Sequence, residues 1–153
     1  MALTRILVAT DHSETAQRAE TFAGRLAGAG GPLEITLLYV HPELPRRSGR
    51  GSVEDVFVPG SALSERDRGE MHELLLQASR RIRDAAGTNE VRITEMLVGS
   101  SDIGGTIVRE AREAGVEAIL MGSRGRSDFA SLMLGSTSHK VLHLAHCPVI
   151  VVR

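Results

Sequence analysis

The chain is poor in the residues that several kinds of chemistry require. Among 153 residues there is one lysine, Lys140, one cysteine, Cys147, one tyrosine and no tryptophan; the other basic residues are 17 arginines. A Walker A loop needs Gly-Lys-Ser/Thr, and Lys140 follows His139 instead, so P-loop nucleotide hydrolysis is excluded. Schiff-base chemistry has a single candidate. A lone cysteine cannot form an internal disulfide, which agrees with a reducing compartment. Aromatics are only 3% of the chain, so any core must be aliphatic. Charge of one sign is also missing. Eighteen basic residues face 19 acidic ones for a net charge of −1, without the basic excess of a dedicated nucleic-acid binder. No apolar run approaches the ~20 residues needed to span a bilayer. The run Ile6-Leu7-Val8-Ala9, closed by Asp11, is too short for a signal-peptide core. The expectation is a cytoplasmic protein with no membrane and no nucleic-acid partner.

What is present is an alternating pattern. Apolar residues make up 42% of the chain, enough for one domain over residues 1–153. Five short apolar runs read as strands: Arg5–Thr10, Glu34–Val40, Val91–Val98, Glu117–Met121 and Val149–Val152. Several are continuously apolar, as expected of strands covered on both faces. Between them lie helical stripes: Ala16, Ala19, Ala23 and Leu26; Met71, Leu74, Leu75, Ala78, Ile82 and Ala85; Ile103, Ile107, Ala111 and Ala114; and a short one around Val141, Leu142 and Ala145. Gly30-Gly31-Pro32, Gly87 and Gly115 supply stops, while Ser64 with Asp67, and Ser101 or Asp102, supply starts. Such alternation predicts an α/β fold, a mostly parallel sheet with helices on both faces. Ligands in these sheets bind beyond the carboxyl ends of the strands, where strand order reverses. The segment from 41 to 61, with three Pro, three Gly and the cluster Arg46-Arg47-Ser48-Gly49-Arg50, reads as a flexible surface loop.

After the fourth run the chain reads Gly122-Ser123-Arg124-Gly125, then nine residues, then Gly135-Ser136-Thr137. Gly122, Gly125 and Gly135 let backbone turn and approach a ligand without a Cβ in the way. Ser136, Thr137 and Ser138 precede a helix expected around Lys140–Ala145, where they can cap it or hold phosphate oxygens beside its free N–H groups. From Met121 to Arg153, four basic residues (Arg124, Arg126, Lys140, Arg153) stand against Asp128, a local excess that suits a polyphosphate. Turn chemistry alone would also explain the glycines; the coincidence of strand, paired Gly, basic loop and Gly-Ser-Thr favours a phosphate site.

This Gly-x2-Gly-x9-Gly-Ser spacing resembles the ATP-binding signature of the universal stress protein family. The opening Arg5-Ile6-Leu7-Val8-Ala9-Thr10-Asp11-His12-Ser13, the stretch Leu37-Leu38-Tyr39-Val40-His41 and the closing His146-Cys147-Pro148-Val149-Ile150-Val151-Val152-Arg153 resemble that family's first, second and last strands. The resemblance implies an open five-stranded parallel sheet of order 3-2-1-4-5, Rossmann-like and akin to the adenine nucleotide alpha hydrolases. It also implies ATP with Mg²⁺, and a homodimer through the edge strand Val149–Val152. Asp11 would contact ribose or adenine, Thr10 would line the adenosine pocket, and Val40 would contact adenine. Gly122 and Gly125 would approach ribose and phosphates, and Gly135, Ser136 and Thr137 would hold the phosphates. Met121 and Ser123 would contribute backbone contacts. Bound ATP would order the loop from Arg124 to Leu134 and change the surface shown to a regulatory partner of unknown identity. One departure stands out: a Gly-x-Pro turn commonly follows the family's third strand, and here Gly99-Ser100-Ser101-Asp102 occurs, a turn expected to be less rigid.

Other readings compete at particular residues. Asp11 could simply cap a helix beginning near Glu14, and Val40 could be core. His139 and His143, four apart, could pair on a metal but read better as solvated or capping histidines near a helix end. A slow ATPase or phosphotransferase would need a positioned water, and no carboxylate or Gln beside the glycine loop offers one. A ligand-free interaction module is the third possibility, against which the complete glycine signature counts.

Overall fold

The computed structural model of the chain describes residues 3–42, 65–124 and 134–153. Its elements run β1 (Arg5–Thr10), α1 (Glu14–Gly30), β2 (Leu33–His41), α2 (Glu65–Ala86), β3 (Val91–Gly99), α3 (Ile103–Glu113), β4 (Ala118–Gly122), α4 (Ser136–Leu144) and β5 (Val149–Val152). The strands form one five-stranded sheet of order β3-β2-β1-β4-β5, every pair parallel. The expected Ser64 start of α2 and most of the 41–61 segment lie outside the described residues.

Alternation along the strands divides the interior into two cores. Ile6, Val8, Ile35, Leu37, Tyr39 and Leu120 face one way, against Ala19, Ala23 and Ala27 of α1 and Leu75, Ala78 and Ile82 of α2. Leu7, Ala9, Leu38, Val40, Ile119 and Met121 face the other way, against Ile107 and Ala111 of α3 and Val141 of α4. The sheet is thus covered on both faces, which explains its unbroken apolar strands. Small residues let α1 and α2 approach closely. A Cβ on Gly24 would lie 2.2 Å from the Ile82 carbonyl oxygen, so only glycine fits that crossing.

Strand ends differ slightly from the sequence-based bounds. Glu117 lies just before β4, where its side chain accepts from the Thr4 N–H at 2.7 Å and the Arg5 N–H at 3.1 Å. Those two backbone bonds are the main reason its carboxyl lies below the usual range. The turn lacking the family's proline is held by side chains instead. The Ser100 hydroxyl accepts from the Asp102 N–H at 3.1 Å, and Asp102 caps α3 by accepting from the Gly105 N–H at 2.9 Å. Hydrogen bonds thus stand where the family's proline ring would be.

Candidate functional site

Because α1 and α2 pack on one face and α3 and α4 on the other, the strand order reverses between β1 and β4. A cleft of about 500 Å³, open to solvent, lies at the carboxyl ends of these strands. Its wall is apolar, made by Ala9, Leu38, Val40 and Met121 from the sheet and Ile103 and Ile107 from α3. Its other side is polar: Thr10 and Asp11 at the end of β1, Gly122 and Arg124 at the end of β4 and just beyond it, and Thr137 and Ser138 on α4. One apolar slot beside a polar end is the usual make-up of a small-molecule site.

The turn after β1 is tightly specified. His12 adopts φ 65°, a left-handed conformation that bends the chain sharply out of the strand. Asp11 Oδ1 accepts from the Ser13 N–H at 3.0 Å. The expectation that Asp11 caps α1 is corrected here: Ser13 is the N-cap, and its Oγ accepts from the Ala16 N–H at 3.3 Å. Asp11 instead braces the turn one residue earlier, and the residue lines the cleft.

Thr10 lines the cleft, as expected, while its hydroxyl is engaged elsewhere. Ala9 faces the cleft side, so the next side chain points to the opposite face. There the Thr10 hydroxyl donates to Glu20 Oε1 of α1 at 2.5 Å. Thr10 therefore presents backbone, not hydroxyl, to the cleft.

The first turn of α1 is fastened to the exit of β4. Thr15 Oγ1 donates to the Arg124 carbonyl at 2.8 Å and accepts from the Arg124 N–H at 3.3 Å, while Ser13 Oγ donates to the same carbonyl at 3.1 Å. Gly122 makes this approach possible. A Cβ there would lie 2.5 Å from Thr15 Oγ1 and 2.6 Å from the Ala16 nitrogen. The missing side chain of Gly122 thus faces α1, so approach of a helix also requires this glycine.

Further contacts join α4 to the same point. The Ser138 hydroxyl donates to the Gly122 carbonyl at 3.0 Å, and the Gly135 N–H donates to the Ser123 carbonyl at 2.9 Å. The Ser123 N–H donates to the Val152 carbonyl at 2.7 Å, so both backbone groups of Ser123 are engaged within the fold. The helix starts at Ser136, earlier than the sequence suggested, and its N-cap is Gly135, with no side-chain hydrogen bond. Ser136 to Ser138 accordingly form the first turn of α4 rather than preceding it. Their N–H groups belong to the helix end that attracts anions.

Of the residues singled out in the sequence, Thr10, Asp11, Val40, Met121, Gly122 and Thr137 line the cleft. Ser123, Gly135 and Ser136 are not among its lining residues, and Gly125 lies outside the described residues. Ile103 and Ile107 were legible as a helical stripe but not as a cleft wall. The available signal was their place on the first turns of the helix following β3. His139 and His143 are not joined by further ligands: among the described residues no group of three His, Cys, Asp or Glu could hold a metal. Lys140 pairs with Asp102 at 2.9 Å, bridging α4 to the cap of α3. The Lys140 hydrogen bond is the first cause that holds the Asp102 carboxyl below the usual range, followed by the Gly105 N–H. Burial raises the Cys147 thiol above its ordinary value, against a reactive role.

The family model for the Universal stress protein family matches residues 2–153. The chain belongs to the universal stress protein family. The universal stress protein YxiE of Bacillus subtilis (strain 168) is 33% identical over 150 residues, covering 97% of this chain and 98% of its own. The universal stress protein UspA from Lactobacillus plantarum superposes with a TM-score of 0.75 at 25% identity, covering 100% of this chain and 99% of its own. The universal stress protein from Archaeoglobus fulgidus, solved in complex with dAMP, superposes with a TM-score of 0.65 at 24% identity over 100% of both chains. At that identity the last likeness speaks to the fold, and the strand order that family resemblance implied is the order found. No helix among the described residues is long and apolar enough to cross a membrane.

Proposed function

We propose that this universal stress protein is an ATP-binding regulatory protein whose cleft holds the adenine between Val40, Met121, Ile103 and Ile107. The observation that carries this reading is the cleft's two-part lining, an apolar slot next to a helix start that no side chain caps. The slot suits a flat purine, and the uncapped first turn at Ser136 and Thr137 suits phosphate oxygens. Arg124, among the lining residues, adds a positive charge at the same end. The glycine signature supports the ATP-binding subgroup, and the dAMP complex of a protein with this fold agrees with an adenine nucleotide. Mg²⁺ would travel with the phosphates, held chiefly by them and by water, with Asp11 as an indirect contact. ATP would act as a ligand that stabilises the native state by mass action and alters the surface offered to a protein partner. A titration with ATP, ADP, AMP and GTP, on the wild type and on Asp11→Ala, tests this. Adenine nucleotides should bind and GTP should not, with Asp11→Ala weakening binding about tenfold, the scale of a lost charged hydrogen bond. Equal affinity for GTP would sink the reading. Turnover by purified protein, sensitive to Asp11→Ala, would favour the competing slow ATPase.

We also propose a homodimer through β5. The strand lies at the sheet edge, and Val149 to Val152 are all partly exposed. Exposed Phe22, Leu142 and Leu144 sit on α1 and α4, the helices that contact β5. The Pro148 and Val152 carbonyls bond to β4, so by alternation the backbone of Val151 points outward. Val151→Pro therefore removes an edge N–H without taking a bond from β4. Sedimentation at micromolar concentration should show a wild-type dimer and a monomeric Val151→Pro; a wild-type monomer would overturn the proposal.

A further inference from the structure

Glu20 is fully buried, and nothing in the cleft chemistry accounts for it. One carboxylate oxygen accepts from the Thr10 hydroxyl at 2.5 Å, and the other pairs with the Arg81 guanidinium of α2. Thr10 Oγ1, having given its proton to that contact, accepts from the His12 N–H at 3.3 Å. Between Thr10 and His12 stands Asp11, whose own carboxylate is braced by the Ser13 N–H. A continuous path therefore runs from Arg81, whose side chain is 31% exposed, through a sealed carboxylate to the turn that presents Asp11.

We propose that Glu20 and Arg81 are positioning residues of the cleft: they hold the Thr10 hydroxyl as an acceptor, which fixes the His12 amide and hence the placement of Asp11. The proposal rests on the cleft being the nucleotide site. A hydroxyl can donate once, so engaging its proton with Glu20 leaves only lone pairs toward His12. That is the orientation the left-handed His12 needs, since its N–H must find a partner in a sharp, partly buried turn. A buried pair that served only stability could sit anywhere in the core. This one is joined to the last residue of β1, one position before a cleft-lining carboxylate. Without Arg81, the second Glu20 oxygen loses its partner, the carboxylate is no longer held in place, and the Thr10 hydroxyl is free to turn its proton away from Glu20 and toward His12.

The test uses the full chain with Thr10→Val, Arg81→Met, Arg81→Lys, Glu20→Gln and the Thr10→Val/Arg81→Met double variant. ATP affinity is read by titration, and exchange of the His12 and Ser13 amides by NMR. Thr10→Val, Glu20→Gln and Arg81→Met should each weaken ATP binding about fivefold to tenfold, the scale of one lost hydrogen bond in a charged network. The double variant should be no weaker than the worse single, because both act through one path. Arg81→Lys should restore most of the affinity, and the two amides should exchange faster in Arg81→Met while those of β2 and β3 do not. Additive losses, or a lowered melting temperature with unchanged affinity and unchanged exchange at His12 and Ser13, would overturn the proposal. A wild type that binds no ATP would instead remove the nucleotide reading, and the amide exchange alone would then decide whether the relay positions the turn.

Discussion

Gly122→Val is expected to destabilise the fold by about 3 kcal/mol, the upper end of what overpacking a core site typically costs. The reason is what the new side chain would strike. A Cβ at residue 122 lies 2.6 Å from the Ala16 backbone nitrogen and 2.7 Å from the Thr15 carbonyl carbon. Backbone in the first turn of a capped helix cannot swing aside as a side-chain tip can. Either α1 lifts from β4, breaking the bonds from Ser13 and Thr15 to Arg124, or the end of β4 shifts and loses the Ser138 contact. Both routes disassemble the polar end of the cleft, so nucleotide binding should fall with stability. Denaturant midpoints and ATP titration on the same samples check this. A variant of native stability that has merely lost affinity would show that the glycine matters for ligand approach rather than for helix packing.

Arg81→Met is expected to cost about 3 kcal/mol at neutral pH, with a deficit that shrinks on acidification. Burial raises the Glu20 carboxyl above its ordinary value, and the hydrogen bonds from Thr10 and Arg81 pull it back down. With the folded value above the unfolded one, the native state binds the proton more tightly. Glu20 thus favours the fold at acid pH, and that contribution is lost as pH rises through the folded value. Removing Arg81 removes one of the downward influences, so the folded value climbs and the loss at neutral pH grows. Below the ordinary carboxylate range both states are protonated, and the arginine's charge ceases to matter. Unfolding midpoints of wild type and Arg81→Met between about pH 4 and 8 give the comparison. A deficit constant across that range would assign Arg81 a packing role only.

The elements were legible because their signals are local. A run such as Ile6-Leu7-Val8-Ala9 is apolar on both alternating faces, which only a covered strand tolerates, and the alanines of α1 repeat at helical spacing. The place of the cleft was equally legible, since alternation fixes a parallel sheet and a parallel sheet fixes where its loops converge. What escaped were the fastenings. Thr15 and Arg124 lie 109 positions apart, and Glu20 and Arg81 lie 61 apart; neither pair has a spacing that marks it. Glu20 shares the inward stripe of Ala16, Ala19 and Ala23, but nothing local shows that Thr10 of β1 and Arg81 of α2 supply its partners. The same distance effect explains Gly122. A glycine after a strand and before a basic loop suggests a ligand, and only the position of α1 reveals which neighbour needs the space. Ser13 rather than Asp11 caps the helix through local hydroxyl geometry, where the sequence offers two suitable residues with His12 between them.

The pairing of Lys140 with Asp102 has a practical corollary. No other lysine exists in the chain, so its one side-chain amine stands on a helix whose first turn lines the cleft, clasped to the helix that forms the opposite wall. Besides the α-amine, an amine-directed reagent has this one side-chain target, and its rate of reaction there reports how firmly Asp102 holds the ammonium as ligand enters and leaves.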